Sequence, residues 1–278
     1  MLLTNLTKNR LSISVVLVLL ISACSTNKYA ATEKIYKEKA KGFSKIILAT
    51  PPEGQLYDSL NAANQQWIGS VNFGIRKPNF VIIHHTAQDS LAQTIKTFHS
   101  TKAGTSAHYV VSRDGKVVQM VNDYLRSNHA GVSKWGKDTD LNSSSIGIEL
   151  DNNGTTDIWP DAQINSLIKL LATLKKKYSI PTANFIGHAD IAPKRKPDPN
   201  NFPWKKLAVK GFGYWYDDVL QNPPVDFDTT NALKLMGYDT SDLGAAITAF
   251  KRHFIQTDLK PKLTPVDILV LYNVYTKY

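Results

Sequence analysis

The sequence predicts an α/β domain with a central mixed β-sheet flanked by helices, followed by a small C-terminal three-helix domain. Three features of the chain carry that prediction. Two apolar runs, residues 80–83 and Ser145–Leu150, have the continuous character of buried strands. Between residues 161 and 178, Ile164, Leu167, Ile168, Leu171 and Leu174 recur at helical spacing and form one apolar stripe. Beyond Pro223-Pro224 the strand signals stop and only short helical patterns remain.

Taken in order, residues 46–79 contain Pro51-Pro52, Gly54 and Gly74 and predict loops with one short helix. The strand at 80–83 follows, and then Leu91, Ile95 and Phe98 at the spacing of one helix face. Tyr109–Val111 and residues 116–121 flank Arg113-Asp114-Gly115, a turn signal that joins them as a hairpin. The strand Ser145–Leu150 leads to the long helix, with Asp161 at its start and Lys175, Lys176 and Lys177 at its end, as the helix dipole favours. That placement makes the lysine run a solvated helix end and not a binding patch. Pro181 precedes a short strand at 184–186. Alternating strands and helices of this kind build a layered α/β domain. The tail predicts helices at Thr229–Met236, Leu243–Phe254 and Pro265–Tyr275. The last begins on a capping Thr264, with Pro265 in its first turn and Asp267 at the third position.

The chain has 278 residues, enough for one sizeable domain and a small one. Its net charge of +10 suits a polyanionic partner. The basic residues are scattered and no recognition motif accompanies them, so nucleic acid is not expected as a partner. At the N-terminus, Lys8 and Arg10 precede an apolar run over residues 11–21, then Ser22-Ala23-Cys24. That run is shorter than the roughly 20 residues a membrane-spanning helix needs, and the pattern is that of an export signal. Residues 21–24 resemble the bacterial lipobox, in which the cysteine is acylated and becomes the first residue of the mature chain. Cys24 is the sole cysteine, so no intrachain disulfide and no thiolate ligand elsewhere is available. The expected organisation is a lipoprotein signal peptide (1–23), a polar tether (24–45), a catalytic domain (46–222) and a small helical domain (225–278). An acylated Cys24 would anchor the chain to a membrane through palmitate-like chains.

Four segments place unusual polar residues at strand ends and loops: His84-His85-Thr86-Ala87, Glu149 within the apolar strand, Gly187-His188-Ala189-Asp190, and the loop Lys194-Arg195-Lys196-Pro197-Asp198-Pro199. Zinc-dependent hydrolysis needs three protein ligands of nitrogen and oxygen type and one open position. It also needs a carboxylate base and a donor for the developing oxyanion. His84, His188 and Asp198 could be the ligands, Glu149 the base and Lys196 the donor, if folding brings them together.

These segments, with Ser106-Ala107-His108-Tyr109 and His129-Ala130-Gly131 between them, resemble in order the type 2 zinc N-acetylmuramoyl-L-alanine amidases. That family shares its fold with the peptidoglycan recognition proteins. The resemblance spans roughly residues 78–217. It implies one Zn2+ per chain, held by His84, His188 and Asp198, with Glu149 and Lys196 catalytic. His85 would point to the opposite strand face. It implies hydrolysis of the amide between N-acetylmuramic acid and L-alanine in peptidoglycan or muropeptides, for cell-wall turnover or recycling. His129, His108 and Trp135 are candidate substrate contacts. Ser133 to Trp135 and the run His188-Ala189-Asp190-Ile191-Ala192-Pro193 look closest to the lipoprotein amidases of the outer membrane. The expectation is therefore a monomeric lipoprotein of the cell envelope, facing the periplasm. The helical tail resembles the peptidoglycan-binding module of such proteins. The rival readings are a non-catalytic peptidoglycan-binding recognition protein and a zinc peptidase cutting within the stem peptide.

Overall fold

The computed structural model describes residues 27–48 and 75–278. The signal segment 1–23, Cys24 and the loops expected over 49–74 lie outside the described residues. Contacts divide the chain into one unit of residues 1–69 and another of 70–278. In the first, the expected tether is a regular helix, α1 (Ala30–Leu48), with no buried residue. Its sequence is rich in Ala, Lys and Glu, which lose little side-chain freedom in a helix, and Glu33 and Lys45 suit its two ends. The helix runs through the boundary expected at 45/46, so no structural break falls there. No described helix is long and apolar enough to cross a membrane.

The second unit is organised by a mixed sheet. Its described strands are β1 (Phe80–His85), β2 (Tyr109–Val111), β3 (Val117–Gln119), β4 (Ser145–Leu150) and β5 (Phe185–Gly187), in the order β3-β2-β4-β1-β5. β1 lies parallel to β4 and β5, β2 is parallel to β4, and β2 and β3 form the antiparallel hairpin. Gly115 turns that hairpin with a φ of 86°, a conformation open to glycine. The helices are α2 (Leu91–Phe98), α3 (Leu141–Ser144), α4 (Asp161–Tyr178), α5 (His188–Ile191), α6 (Trp204–Ala208), α7 (Thr229–Met236), α8 (Leu243–Phe254) and α9 (Pro265–Tyr275). The strand expected at 116–121 is shorter, and the one expected at 184–186 begins a residue later.

Side chains alternate across a strand, so each strand serves both faces. Val81 and Ile83 of β1, Ile146, Ile148 and Leu150 of β4 and Phe185 of β5 pack beneath α4 on its Ile164, Leu167, Leu171 and Leu174. The other face presents Ile82 and Ile186, which join Trp135, Leu141 and Ile191 in a second core. That second core is completed by Leu233, Met236, Ala246, Phe250, Phe254, Leu271 and Val274 from the three C-terminal helices. Residues 225–278 were expected as a separate small domain. They share one core with the sheet instead. The physical reason lies in their apolar faces: Leu233, Met236, Phe250 and Leu271 pack in one cluster with Ile82, Ile186 and Ile191, so the three helices do not close a core of their own. The cap of α9 is as predicted. Thr264 accepts from the Asp267 backbone N–H, and Asp267 accepts from the Thr264 N–H.

Candidate metal centre

The site lies on the second face of the sheet, where its apolar core stops. In the parallel pair β1–β4, His84 is the register partner of Glu149. Partners in a parallel ladder put their side chains on the same face, so the imidazole and the carboxylate stand side by side. β5 ends at Gly187, paired with Ile83, and His188 follows at once as the first residue of α5. The loop after α5 returns Asp198 to the same point, where its carbonyl accepts a 2.7 Å hydrogen bond from the Ala189 N–H.

The three sequence-predicted ligands converge. His84 Nδ1 and His188 Nδ1 are 2.9 Å apart, and Asp198 Oδ2 lies 3.2 and 3.0 Å from them. All three side chains are buried. Ligands at about 2.0–2.1 Å from a tetrahedral zinc are spaced by about 3.3 Å, close to this triangle.

The hydrogen-bond network shows what this triangle holds. His188 Nε2 faces the carbonyl of Ala130 at 3.0 Å, a partner only an N–H can satisfy, so in the neutral ring the lone pair lies on Nδ1. For His84 the argument runs through two more residues. The Ser145 hydroxyl donates to the Leu141 carbonyl, so its oxygen is free to accept from His129 Nε2 at 3.2 Å. His129 Nδ1 then accepts from His84 Nε2 at 3.0 Å, and His84 Nδ1 too is left with a lone pair. Burial, and then the neighbouring His188, push His84 down to about 4, so it is neutral near pH 7. Two lone pairs and a carboxylate oxygen thus crowd one point. A cation between them removes the repulsion, and two imidazoles with one carboxylate suit a divalent transition metal.

Glu149 faces the same cleft, which has a volume of about 350 Å³ and is also lined by Gln88, Asn128, Arg195 and Lys196. Its Oε2 is buried with no hydrogen-bond partner among the described residues. Burial first, and then the nearby Asp198, push the carboxyl up to about 8, with Lys196 acting in the opposite direction. Arg195 is turned aside onto the carbonyls of Ala130 and Val132, 3.0 and 2.8 Å away. His85, at the end of β1, was expected on the opposite strand face but also borders the cleft, and its Nδ1 accepts from the Asn200 N–H.

The three candidate substrate contacts are placed differently from expectation. His129 borders the cleft, but both ring nitrogens are engaged, by His84 and Ser145, and the side chain is buried. It bridges His84 and Ser145. His108 is fully buried and does not line the cleft. Its Nδ1 accepts from the Gly147 N–H and its Nε2 donates to the Leu125 carbonyl, so it buttresses β4. Trp135 belongs to the second core, edge-on to Tyr238 at 4.9 Å, and an added Cβ on Gly237 would lie 2.3 Å from its indole.

Gly147 and Ser145 were not singled out from the sequence. A Cβ at Gly147 would stand 2.3 Å from Cγ of His129, so the glycine is the space in which that ring lies. A glycine inside a buried strand is itself a sign of close approach by another group.

Comparison with known proteins agrees with this geometry. The family described as N-acetylmuramoyl-L-alanine amidase matches residues 74–201. The amidase AmiD of Escherichia coli K12 is 35% identical over 209 residues, covering 64% of this chain and 75% of that protein. The 1,6-anhydro-N-acetylmuramyl-L-alanine amidase AmpD of Enterobacter cloacae is 43% identical over 103 residues, 37% of this chain and 54% of AmpD. This chain thus spans about half the length of AmpD. Among solved structures, the fold resembles E. coli AmiD in complex with anhydro-N-acetylmuramic acid-L-Ala-D-gamma-Glu-L-Lys, with a TM-score of 0.65 and 30% identity over 76% of this chain and 93% of that one. It resembles AmpDh3 of Pseudomonas aeruginosa equally, with a TM-score of 0.65 and 29% identity over 79% of this chain and 99% of that one.

Proposed function

The chain belongs to the N-acetylmuramoyl-L-alanine amidase family, and on that premise we propose that it is a zinc amidase acting on muropeptides during cell-wall turnover or recycling. The bond cut joins the lactyl carbonyl of N-acetylmuramic acid to the nitrogen of L-alanine. The observation that carries this reading is the pairing of a three-atom ligand triangle with an unpartnered carboxylate in register beside it. His84, His188 and Asp198 would hold the ion. Zinc, when bound, lowers the pKa of water and polarises a carbonyl.

The chain's own residues supply the rest. A cation held beside Glu149 would favour its ionised form, in which the carboxylate takes the proton from the attacking water and passes it to the departing amine. Lys196, which also lines the cleft, offers N–H donors to the oxyanion as the carbonyl becomes tetrahedral. The products are a muramic carboxylate and a free stem peptide beginning with L-alanine. The export signal and Cys24 support an acylated chain held at the outer membrane and facing the periplasm, where muropeptides are released.

The test is mass spectrometry of defined muropeptides incubated with the full chain, with chelator and with zinc restored. Intact stem peptide, lost on chelation and regained with zinc, is the expected result. Binding without cleavage by zinc-loaded protein would make this a recognition protein, and cleavage within the stem would make it a peptidase.

A further inference from the structure

Two of the three ligand-bearing segments are gripped from behind by the C-terminal helices. Asp190 lies two residues after His188, and it is almost fully buried. Its Oδ2 accepts from His253 Nδ1 of α8 and from the Gly187 N–H, both at 2.8 Å, and its Oδ1 accepts from the Tyr238 hydroxyl at 2.9 Å. The His253 ring is stacked on Trp204 at 3.9 Å, which fixes its direction. The same end of α8 reaches the chain just beyond Asp198. Gln256 Nε2 donates to the Phe202 carbonyl at 2.6 Å, and Arg252 Nη1 approaches Asn200 Oδ1 at 3.4 Å.

We propose that α8 is a positioning brace for the metal centre. Through His253 and Asp190 it aims His188, and through Gln256 and Arg252 it holds the loop that delivers Asp198. The inference rests on the metal-centre reading above and assigns the helical tail a part in it.

The geometry supports this over a purely structural contact. α5 is a single turn, too short to hold its own direction. A buried carboxylate with three donors fixes both the exit of β5, through the Gly187 N–H, and the turn that carries His188. Apolar packing would bury the same surface without fixing an angle. Partners of metal ligands that orient them typically alter metal affinity by about 10–100-fold when removed. His253 and Tyr238 act one step further out, through Asp190 and the backbone, and the lower end of that range is expected.

The experiment is a zinc titration against a competing chelating indicator, on full-length protein verified as folded by circular dichroism. His253→Leu keeps the volume but removes the donor, and is expected to weaken zinc binding about tenfold. His253→Asn, which places a donor near the position of Nδ1, is expected to recover most of that loss, and Tyr238→Phe to lose less than His253→Leu. Leu233→Ala of α7 removes a fully buried core side chain that makes no hydrogen bond to Asp190 and leaves the backbone bond from Tyr238 in place, and serves as the structural control. It is expected to lower stability and leave zinc affinity within twofold, on the order of experimental scatter. Unchanged affinity in His253→Leu, or equal losses in His253→Leu and Leu233→Ala, would overturn the brace and leave the metal centre standing. A wild-type chain that takes up no zinc would overturn both.

Discussion

The two faces of the central sheet are made by the same strands and have opposite characters. Beneath α4 the even-numbered positions of β4, Ile146, Ile148 and Leu150, meet a continuous apolar stripe. On the other face the odd positions are Ser145, Gly147 and Glu149, and their neighbours are His129, His84 and the cleft. One face is sealed by a helix that follows the strand directly in sequence. The other is assembled from α5, the loop at 194–199 and helices from the far end of the chain. A core of the first kind supplies stability. The second kind leaves a gap at its edge in which polar groups are held by one another.

If that division is right, substitutions on the two faces have separable effects. The largest is expected at the exposed edge of the polar face. Glu149→Gln should lower kcat by about 10²–10⁴-fold with zinc content unchanged, checked by muropeptide turnover beside metal analysis. Loss of zinc together with activity would make Glu149 a structural group.

A pair of substitutions then sets one face against the other. Leu167→Ala on α4 should cost about 2–5 kcal/mol in urea unfolding and leave zinc affinity unaltered. Gly147→Ala, driven against the His129 ring, should weaken zinc binding by about tenfold or more. Similar ratios of the two effects in both variants would show that the faces are not separable.

The smallest effect is a pH dependence of the metal-free chain. Burial raises Glu149 from its ordinary 4.5 to about 8, so the folded state holds that proton more tightly than the unfolded state does. Its stabilising contribution is complete below the lower value and is lost as pH rises through the higher one. Metal-free Glu149→Gln should therefore match the wild type in unfolding free energy below pH ~4.5 and exceed it above pH ~8, by about 1 kcal/mol or more, measured by urea unfolding. An equal unfolding free energy at high pH would mean that Glu149 gains a partner when it ionises.

Much of the first face was legible in the sequence because its signal is local. The stripe of α4 and its terminal lysines are contained within one segment, and so, on the opposite side of the sheet, is the capped start of α9. The ligands were legible through ordered motifs, each a few residues long. What escaped was the set of relations between segments. His129 has a substrate-like place in the sequence, and only the distances to His84 and Ser145 show its two nitrogens already engaged. Trp135 looks like a sugar-stacking residue until Tyr238 and Gly237, a hundred residues away, are found against it. The tail looked separate because its helices form a local pattern, whereas the tie from His253 to Asp190 spans 63 positions.

The in-register pairing of His84 with Glu149 has one more consequence. Neighbouring strands are held about 4.8 Å apart by their backbone hydrogen bonds, whatever side chains they carry. The separation between the backbone positions that carry the proposed base and the first proposed ligand is thus ruled by peptide geometry, not by loop conformation. Loops around the cleft can be exchanged to change what enters it, and that spacing will travel unchanged with the sheet.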